Sequence, residues 1–368
     1  MESAATLTRL VRRVFYRLVV PVVSIAAALS VSGVLIVVAS GNPLEAYGAM
    51  LQGAAGSIGS LATTGVRTTP ILLTGLAVAI SFRAGVFNVG AEGQLYVGAA
   101  FATVVAVAPL GLPGFIHVLL ALLAGFVGGA LWVAIPAYLR AYRGVSEVVT
   151  TLMLNFVGIY LISYLIDPIT GPIGERNASY AQSALVQETA RLPVLISGTS
   201  LHAGLLLGIG LAVALQILLR YTGLGFRLRM LGGNPTAARF TGMNSSRQIV
   251  IAMLISGGIA GLAGAGEVIG LRMRLYDRFS PGYGYDGIAV ALLANSSPLG
   301  VILSASFFGA LRAGANAMQQ ATGIETSLVL IIQALTILFV IFGPLRGWVA
   351  TRTTRRAGLT PGGSESAP

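Results

Sequence analysis

Phe87-Asn88-Val89-Gly90-Ala91-Glu92-Gly93-Gln94 sets one carboxylate, two amides and two glycines between two apolar runs, Ile71–Ile80 and Leu95–Ala108. A charge and unpaired amides inside lipid are costly, so such side chains face a bundle interior or a water-filled path. Glycines within an apolar span point to a broken helix, which a membrane tolerates only where protein or water covers the backbone. The stretch reads as the hinge of a transport path.

The rest of the chain supplies the membrane. Of 368 residues, 55% are hydrophobic and 10% charged, against about 25% charged in a soluble domain. Many apolar runs approach the roughly 20 residues that cross a bilayer. The 48 glycines suit close helix packing in lipid. The expected class is an all-α polytopic membrane protein.

The net charge of +11 comes from arginine alone, since the chain has no lysine. No basic face with stacking aromatics appears, which argues against a nucleic-acid partner. With no cysteine and only two histidines, His117 and His202, disulfides and thiolate metal sites are excluded and a histidine-rich metal centre is not expected. Arg9, Arg12, Arg13 and Arg17 precede the first apolar run without a prompt cleavage site, so that run reads as an uncleaved first span.

Ten spans are expected, near 18–40, 66–82, 87–109, 115–139, 145–166, 201–220, 248–270, 286–295, 298–318 and 324–343. The count falls to eight if the two broken regions, the 88–94 hinge and 286–298, are re-entrant. Most arginines then fall on one side with the termini. Arg67, Arg176, Arg191, Arg272, Arg274 and Arg278 lie opposite, and Arg312 lies within a span. The bias predicts both termini inside. Residues 1–17 are expected to form a cytoplasmic N-terminus and 18–345 a transmembrane domain. Within it, 167–200 is an outer loop with room for a short surface helix, and 221–247 an inner loop. Segment 41–65 reads as interfacial or re-entrant, and 346–368 as a disorder-prone tail.

Candidate functional residues fall in three groups. In the inner loop, Asn234-Pro235 reads as a cap and first helical residue, and Gly242 as the stop of a very short helix. Such a helix is unstable alone and needs a partner surface. The simpler alternative is a surface turn. Within the spans, Thr150, Thr151 and Asn155 either line a path or bond between helices, Asn88, Glu92 and Gln94 either contact ligand or shape the hinge, Glu92 by accepting backbone amides, and Asn295 beside the second break is a path candidate. Three carboxylates have structural readings: Ser146 caps a helix with Glu147 in its first turn, the alternative there being ligand contact, Asp286 caps the short eighth span, and Glu267 snorkels or meets an outside partner.

Gly232-Gly233-Asn234-Pro235-Thr236-Ala237-Ala238-Arg239-Phe240-Thr241-Gly242-Met243-Asn244 resembles the coupling-helix loop of importer-type ABC transporter permeases. Residues 87–94, 146–155 and 284–293 resemble the FN-x-G-x-EGQ, EVVTT-x-MLN and G-x-DGIAVALL segments of the branch serving nucleosides and simple sugars. Four segments in order cover about residues 80–345. The resemblance implies coupling through Asn234, Pro235, Ala237, Ala238, Arg239 and Gly242. It implies a partner with two ATP-binding domains, a second homologous permease and an extracytoplasmic substrate-binding lipoprotein. The setting would be the lipid bilayer of a bacterial cytoplasmic membrane.

No cofactor is expected on this chain. ATP and Mg would sit on the partner, because a chain without lysine has no P-loop. The expected function is ATP-driven nucleoside import by alternating access. Import of ribose-like sugars is the near alternative, and an ion-coupled secondary transporter is the alternative from another class. An enzyme is not expected, since no acid, base or metal-ligand pair shares one face.

Overall fold

The computed structural model describes residues 22–38, 41–176 and 178–339. The N-terminal arginine group and the tail from 346 lie outside them. The described residues are almost wholly helical, with only isolated bridges in place of strands. Helix α1 is Val22–Val38. It is followed by α2 (Pro43–Ala55), α3 (Ile58–Arg83), α4 (Ala91–Val107), α5 (Gly114–Arg143), α6 (Glu147–Leu165) and α7 (Gly204–Tyr221). Then come α8 (Gly223–Gly233), α9 (Pro235–Phe240), α10 (Ser245–Gly266), α11 (Tyr283–Leu293) and α12 (Pro298–Thr322), with α13 (Ser327–Phe339) last. Six helices are long and apolar enough to cross a membrane, α10 being counted through Arg272, and α1, α4 and α13 are shorter apolar helices.

The chain forms two compact units. Among the described residues one holds α1 and α13, and the other spans Leu44–Gly323. Inside the larger unit α3 and α10 are central: 83% of the most apolar window of α3 is buried, against 22% of that of α6. Helices α4, α5 and α10 meet backbone to backbone. A Cβ on Gly261 would run into the Gly125 carbonyl, and one on Gly264 into the Leu95 carbonyl. Lipid gives helices no hydrophobic drive to associate, so small residues that allow this approach supply the packing.

Each expected span contains a helix, with corrections at the ends. Segment 41–65 is helical, as α2 and the start of α3. Helix α3 begins eight residues earlier than expected because Ser57 Oγ caps it, accepting from Ser60 N at 3.0 Å. The eighth span starts at Tyr283, after Gly282 at φ 96°. The inner loop is mostly helical, holding α8 and α9. Helix α10 continues as a π-helix over Glu267–Arg272. The 167–200 segment carries only a 3-10 turn, Glu188–Ala190, among its described residues. Backbone bonds tie that segment to neighbouring helix ends, from Gln187 N to Ala106 O (3.0 Å) and from Leu192 N to Ile269 O in the π-helix (2.9 Å).

Candidate functional site

The break between α3 and α4 is a backbone problem solved by side chains. Helix α3 ends at Arg83, Gly85 turns the chain at φ 73°, and Val86–Val89 is neither helix nor strand. It climbs back along α3. Asn88 Nδ2 donates to Ser256 Oγ (2.8 Å), which donates to the Ala77 carbonyl (2.5 Å). Ala77 lies about 9 Å back along α3 from Arg83 at 1.5 Å per residue. Backbone amides at that depth need partners.

Helix α6 supplies those partners from one stripe. Glu147 Oε1 accepts from Phe87 N (3.2 Å), and Thr151 Oγ1 from Val89 N (3.3 Å). Asn155 Oδ1 accepts from Gly93 N (2.8 Å), while its Nδ2 donates to the Val89 carbonyl (3.0 Å). Glu147 and Thr151, about 6 Å apart along α6, take two alternate amides of the segment, and Asn155, a turn further on, reaches past it to Gly93 in the first turn of α4. Glu147 is also paired with Arg140 at 3.0 Å. Asn88 and Gln94 exchange two amide bonds of 2.9 Å, and Asn88 Oδ1 also accepts from Gly90 N at 3.0 Å.

A second helix start meets the first. Glu92, in the first turn of α4, accepts from Gly284 N of α11 at 2.6 Å. A Cβ on Gly284 would collide with the Glu92 backbone, so only glycine allows this approach. The carboxylate therefore sits at the positive ends of two helices at once. The junction lies deep, since Thr74 Oγ1 donates to the Tyr283 carbonyl at 2.9 Å, about 14 Å along α3 from its end. Beside it Tyr285 is 39% exposed, with its hydroxyl 3.5 Å from Asn155 Nδ2.

Around α11 stand charges whose pairing the sequence did not reveal. Asp286 accepts from Arg312 Nε at 2.6 Å instead of capping the helix. The Arg312 guanidinium lies 5.7 Å from the Tyr283 ring centre, and Arg67 Nη1 donates to the Tyr283 hydroxyl at 3.2 Å. Glu267 is 1% exposed and pairs with Arg272 at 3.2 Å, so it neither snorkels nor faces outward. An arginine within a span demands a partner, and Arg312 carried that signal. Its partner, 26 residues away, follows no helical period. Ser146 precedes α6 without making a side-chain cap bond.

Two candidates stand apart. Thr150 Oγ1 bonds its own helix, to the Ser146 carbonyl at 3.1 Å. Asn295 is exposed in the turn after α11 at φ 49°, where its carbonyl accepts from Arg83 Nη2 at 3.1 Å. That places it near the end of α3, away from Glu92.

The α9 segment is held locally. Asn234 Oδ1 accepts from Ala237 N at 3.0 Å, and Pro235 takes the first helical position. Gly242 at φ 76° closes the helix: Gly242 N bonds the Arg239 carbonyl (3.0 Å) and Met243 N the Ala238 carbonyl (3.3 Å), a Schellman ending. Ala238 is buried while Pro235, Arg239 and Phe240 are exposed, Phe240 at 88%. Among the described residues no cluster of three histidine or acidic side chains is suited to a metal ion.

A bundle of apolar helices built around a deep, hydrogen-bonded break defines a polytopic membrane protein of transporter type. The family described as "Branched-chain amino acid transport system / permease component" matches residues 60–341. The chain belongs to that family. It is 40% identical over 331 residues to the glucose ABC transporter permease protein TsgB13 of Haloferax volcanii, covering 87% of this chain and 86% of that one. It is 36% identical over 324 residues to the guanosine ABC transporter permease protein NupP of Bacillus subtilis, covering 88% and 92%. It is 29% identical over 330 residues to the nucleoside ABC transporter permease protein NupB of Lactococcus lactis, covering 88% and 90%. No solved structure matches.

The chain is thus a multi-pass, non-catalytic ABC permease subunit that works with an ATPase subunit and a substrate-binding protein. Membership sets aside the ion-coupled alternative.

Proposed function

We propose that this permease conducts nucleosides inward by alternating access, with both termini and α9 on the cytoplasmic side. Arg220, Arg227, Arg229, Arg239 and Arg247 at the α9 end support that orientation. Exposed Arg239 and Phe240, with Asn234, Pro235, Ala237, Ala238 and Gly242 fixing their helix, are the surface that an ATPase subunit presses. The other partners are a second homologous permease and a substrate-binding lipoprotein.

One observation carries the path. The starts of α4 and α11 meet at Glu92 and Gly284 deep in the bundle, with the Tyr285 ring exposed beside Asn155. Asn88, Gln94, Thr151 and Asn155 shape this junction by holding its backbone, and movement of the two helix starts opens and closes it. A neutral nucleoside, with a flat face and many hydrogen-bonding edges, suits such a lining. The guanosine and nucleoside relatives support this ligand class.

The glucose relative supports a second reading, import of simple sugars through the same architecture. Uptake of radiolabelled guanosine, adenosine, uridine, ribose and glucose, in cells with the intact operon or with this gene deleted, separates the two. Loss of nucleoside uptake alone is the expected result, and loss of sugar uptake alone transfers the protein to the second reading.

A further inference from the structure

A cavity of about 330 Å³ opens between α8, the turn after α9 and the first turns of α10. Arg227, Asn244, Arg247, Gln248 and Ile251 are among its lining residues. The ion pairs among the described residues use other arginines, so Arg227 and Arg247 both face the cavity without a carboxylate. Gln248 is 5% exposed, and its Oε1 has no hydrogen-bond partner. A buried acceptor left unpaired in a cavity that two exposed arginines also line calls for a ligand with two properties. It must carry negative charge for the guanidinium groups and a donor for the amide oxygen. The start of α10, capped by Asn244 Oδ1 on Arg247 N at 2.9 Å, adds its positive end.

The position in the bilayer narrows the choice. Helix α7 ends at Tyr221, one residue before α8, and α10 enters its span at Ser245. The cavity therefore lies at the level where two membrane helices leave the apolar layer. Tyr221 and Phe226 are exposed there, and Arg220 stacks over Tyr221 at 5.4 Å. Aromatic and arginine side chains gather at the headgroup level of a bilayer.

We propose that this cavity binds the phosphodiester of an anionic phospholipid with a hydroxyl-bearing headgroup, of the phosphatidylglycerol type. Arg227 and Arg247 hold the phosphate, and a headgroup hydroxyl donates to Gln248. A bound headgroup links α8 and α10 on either side of α9, so the lipid braces the segment that meets the ATPase. Only this bracing role rests on the coupling reading above.

The test uses the intact importer in phosphatidylcholine nanodiscs doped with phosphatidylglycerol, with retained lipid counted by native mass spectrometry. The expected result is retention by the wild type and about tenfold weaker retention for Arg227→Gln and for Arg247→Gln, as befits loss of a charge-assisted hydrogen bond. Gln248→Leu should lower the preference for phosphatidylglycerol over phosphatidic acid. Arg143→Gln, a basic position outside the cavity, should change nothing. Equal retention by the wild type and the Arg227→Gln/Arg247→Gln double variant would overturn the site.

Displacement of the lipid by inorganic phosphate at matched concentration would overturn the lipid as the source and leave free phosphate as the ligand. A double variant that keeps phosphatidylglycerol but sheds the ATPase subunit would overturn the proposal in favour of a protein contact. Nucleoside uptake by the same wild-type complex is measured separately, so failure of the ligand assignment and failure of the lipid site remain distinguishable.

Discussion

The α3–α4 break and the α9 segment are both short irregular stretches between apolar helices, yet they are held in opposite ways. The break has a buried core at Asn88 and Gly90; its backbone amides find side chains on α6, and the Asn88 side chain bonds to α10 and α4. Helix α9 is closed by its own cap and ending, and Ala238 is its one buried residue. In lipid, an unpaired backbone group has no water to turn to, so a break must recruit distant side chains. At the membrane surface water does that work, and local signals suffice. The surface segment keeps its cationic and aromatic side chains free for a partner.

Substitutions that break a deep pairing test this contrast most severely. Arg312→Leu should strand Asp286 and destabilise the protein by about 3–5 kcal/mol. Thermal melting in detergent reads the loss, and Asp286→Leu added to Arg312→Leu should recover most of it. No recovery would mean that the pair is not the reason for the loss. Next comes Asn155→Leu, which leaves the Gly93 N–H and the Val89 carbonyl unpaired at a cost of about 2–4 kcal/mol. Wild-type stability in that variant would remove α6 as the support of the break.

Acid sharpens the contrast at the other end of α7. His202 is buried ahead of that helix, and desolvation pushes its imidazole down to about 4. Its Nδ1 accepts from Gly204 N at 3.2 Å, and its Nε2 has no partner. The fold favours the neutral ring. The stability this gives is complete above the unfolded value of about 6.5 and is lost as pH falls through the folded value, at most about 3 kcal/mol. The wild-type melting temperature should fall between pH 6.5 and 4 more steeply than that of His202→Leu. Parallel curves would show that the imidazole titrates normally.

Smaller stability effects belong to the surface segment. Gly242→Ala should cost about 1 kcal/mol for its left-handed backbone, and Arg239→Ala less. Both should separate ATP hydrolysis from transport in proteoliposomes, and normal coupling in both would remove α9 as the coupling element. Thr150→Val, which loses only a bond within its own helix, should change melting and uptake least of all.

The same contrast explains what could be read in advance. Asn234, Pro235 and Gly242 act within one turn of their own sequence, so cap, first residue and stop were legible. The break was legible as a place, because Asn88, Glu92, Gly93 and Gln94 interrupt apolar runs. Its partners were not: Thr151 and Asn155 were equally compatible with a path lining and with bonds between helices. Nothing in the sequence tied Glu92 to Gly284, Asp286 to Arg312 or Glu267 to Arg272. The early start of α3 was missed because Ser57 and Ser60 stand among small residues that resemble a loop.

Sequence alone determined the membrane class, the positions of the apolar helices, the place of the break and the local form of α9, because hydropathy, caps and left-handed glycines act over a few residues. Tertiary structure alone decided which polar groups are spent on the fold. A buried amide or charge takes whichever partner packing brings within about 3 Å, and here those partners lie from 5 residues away, Arg272 for Glu267, to 192, Gly284 for Glu92.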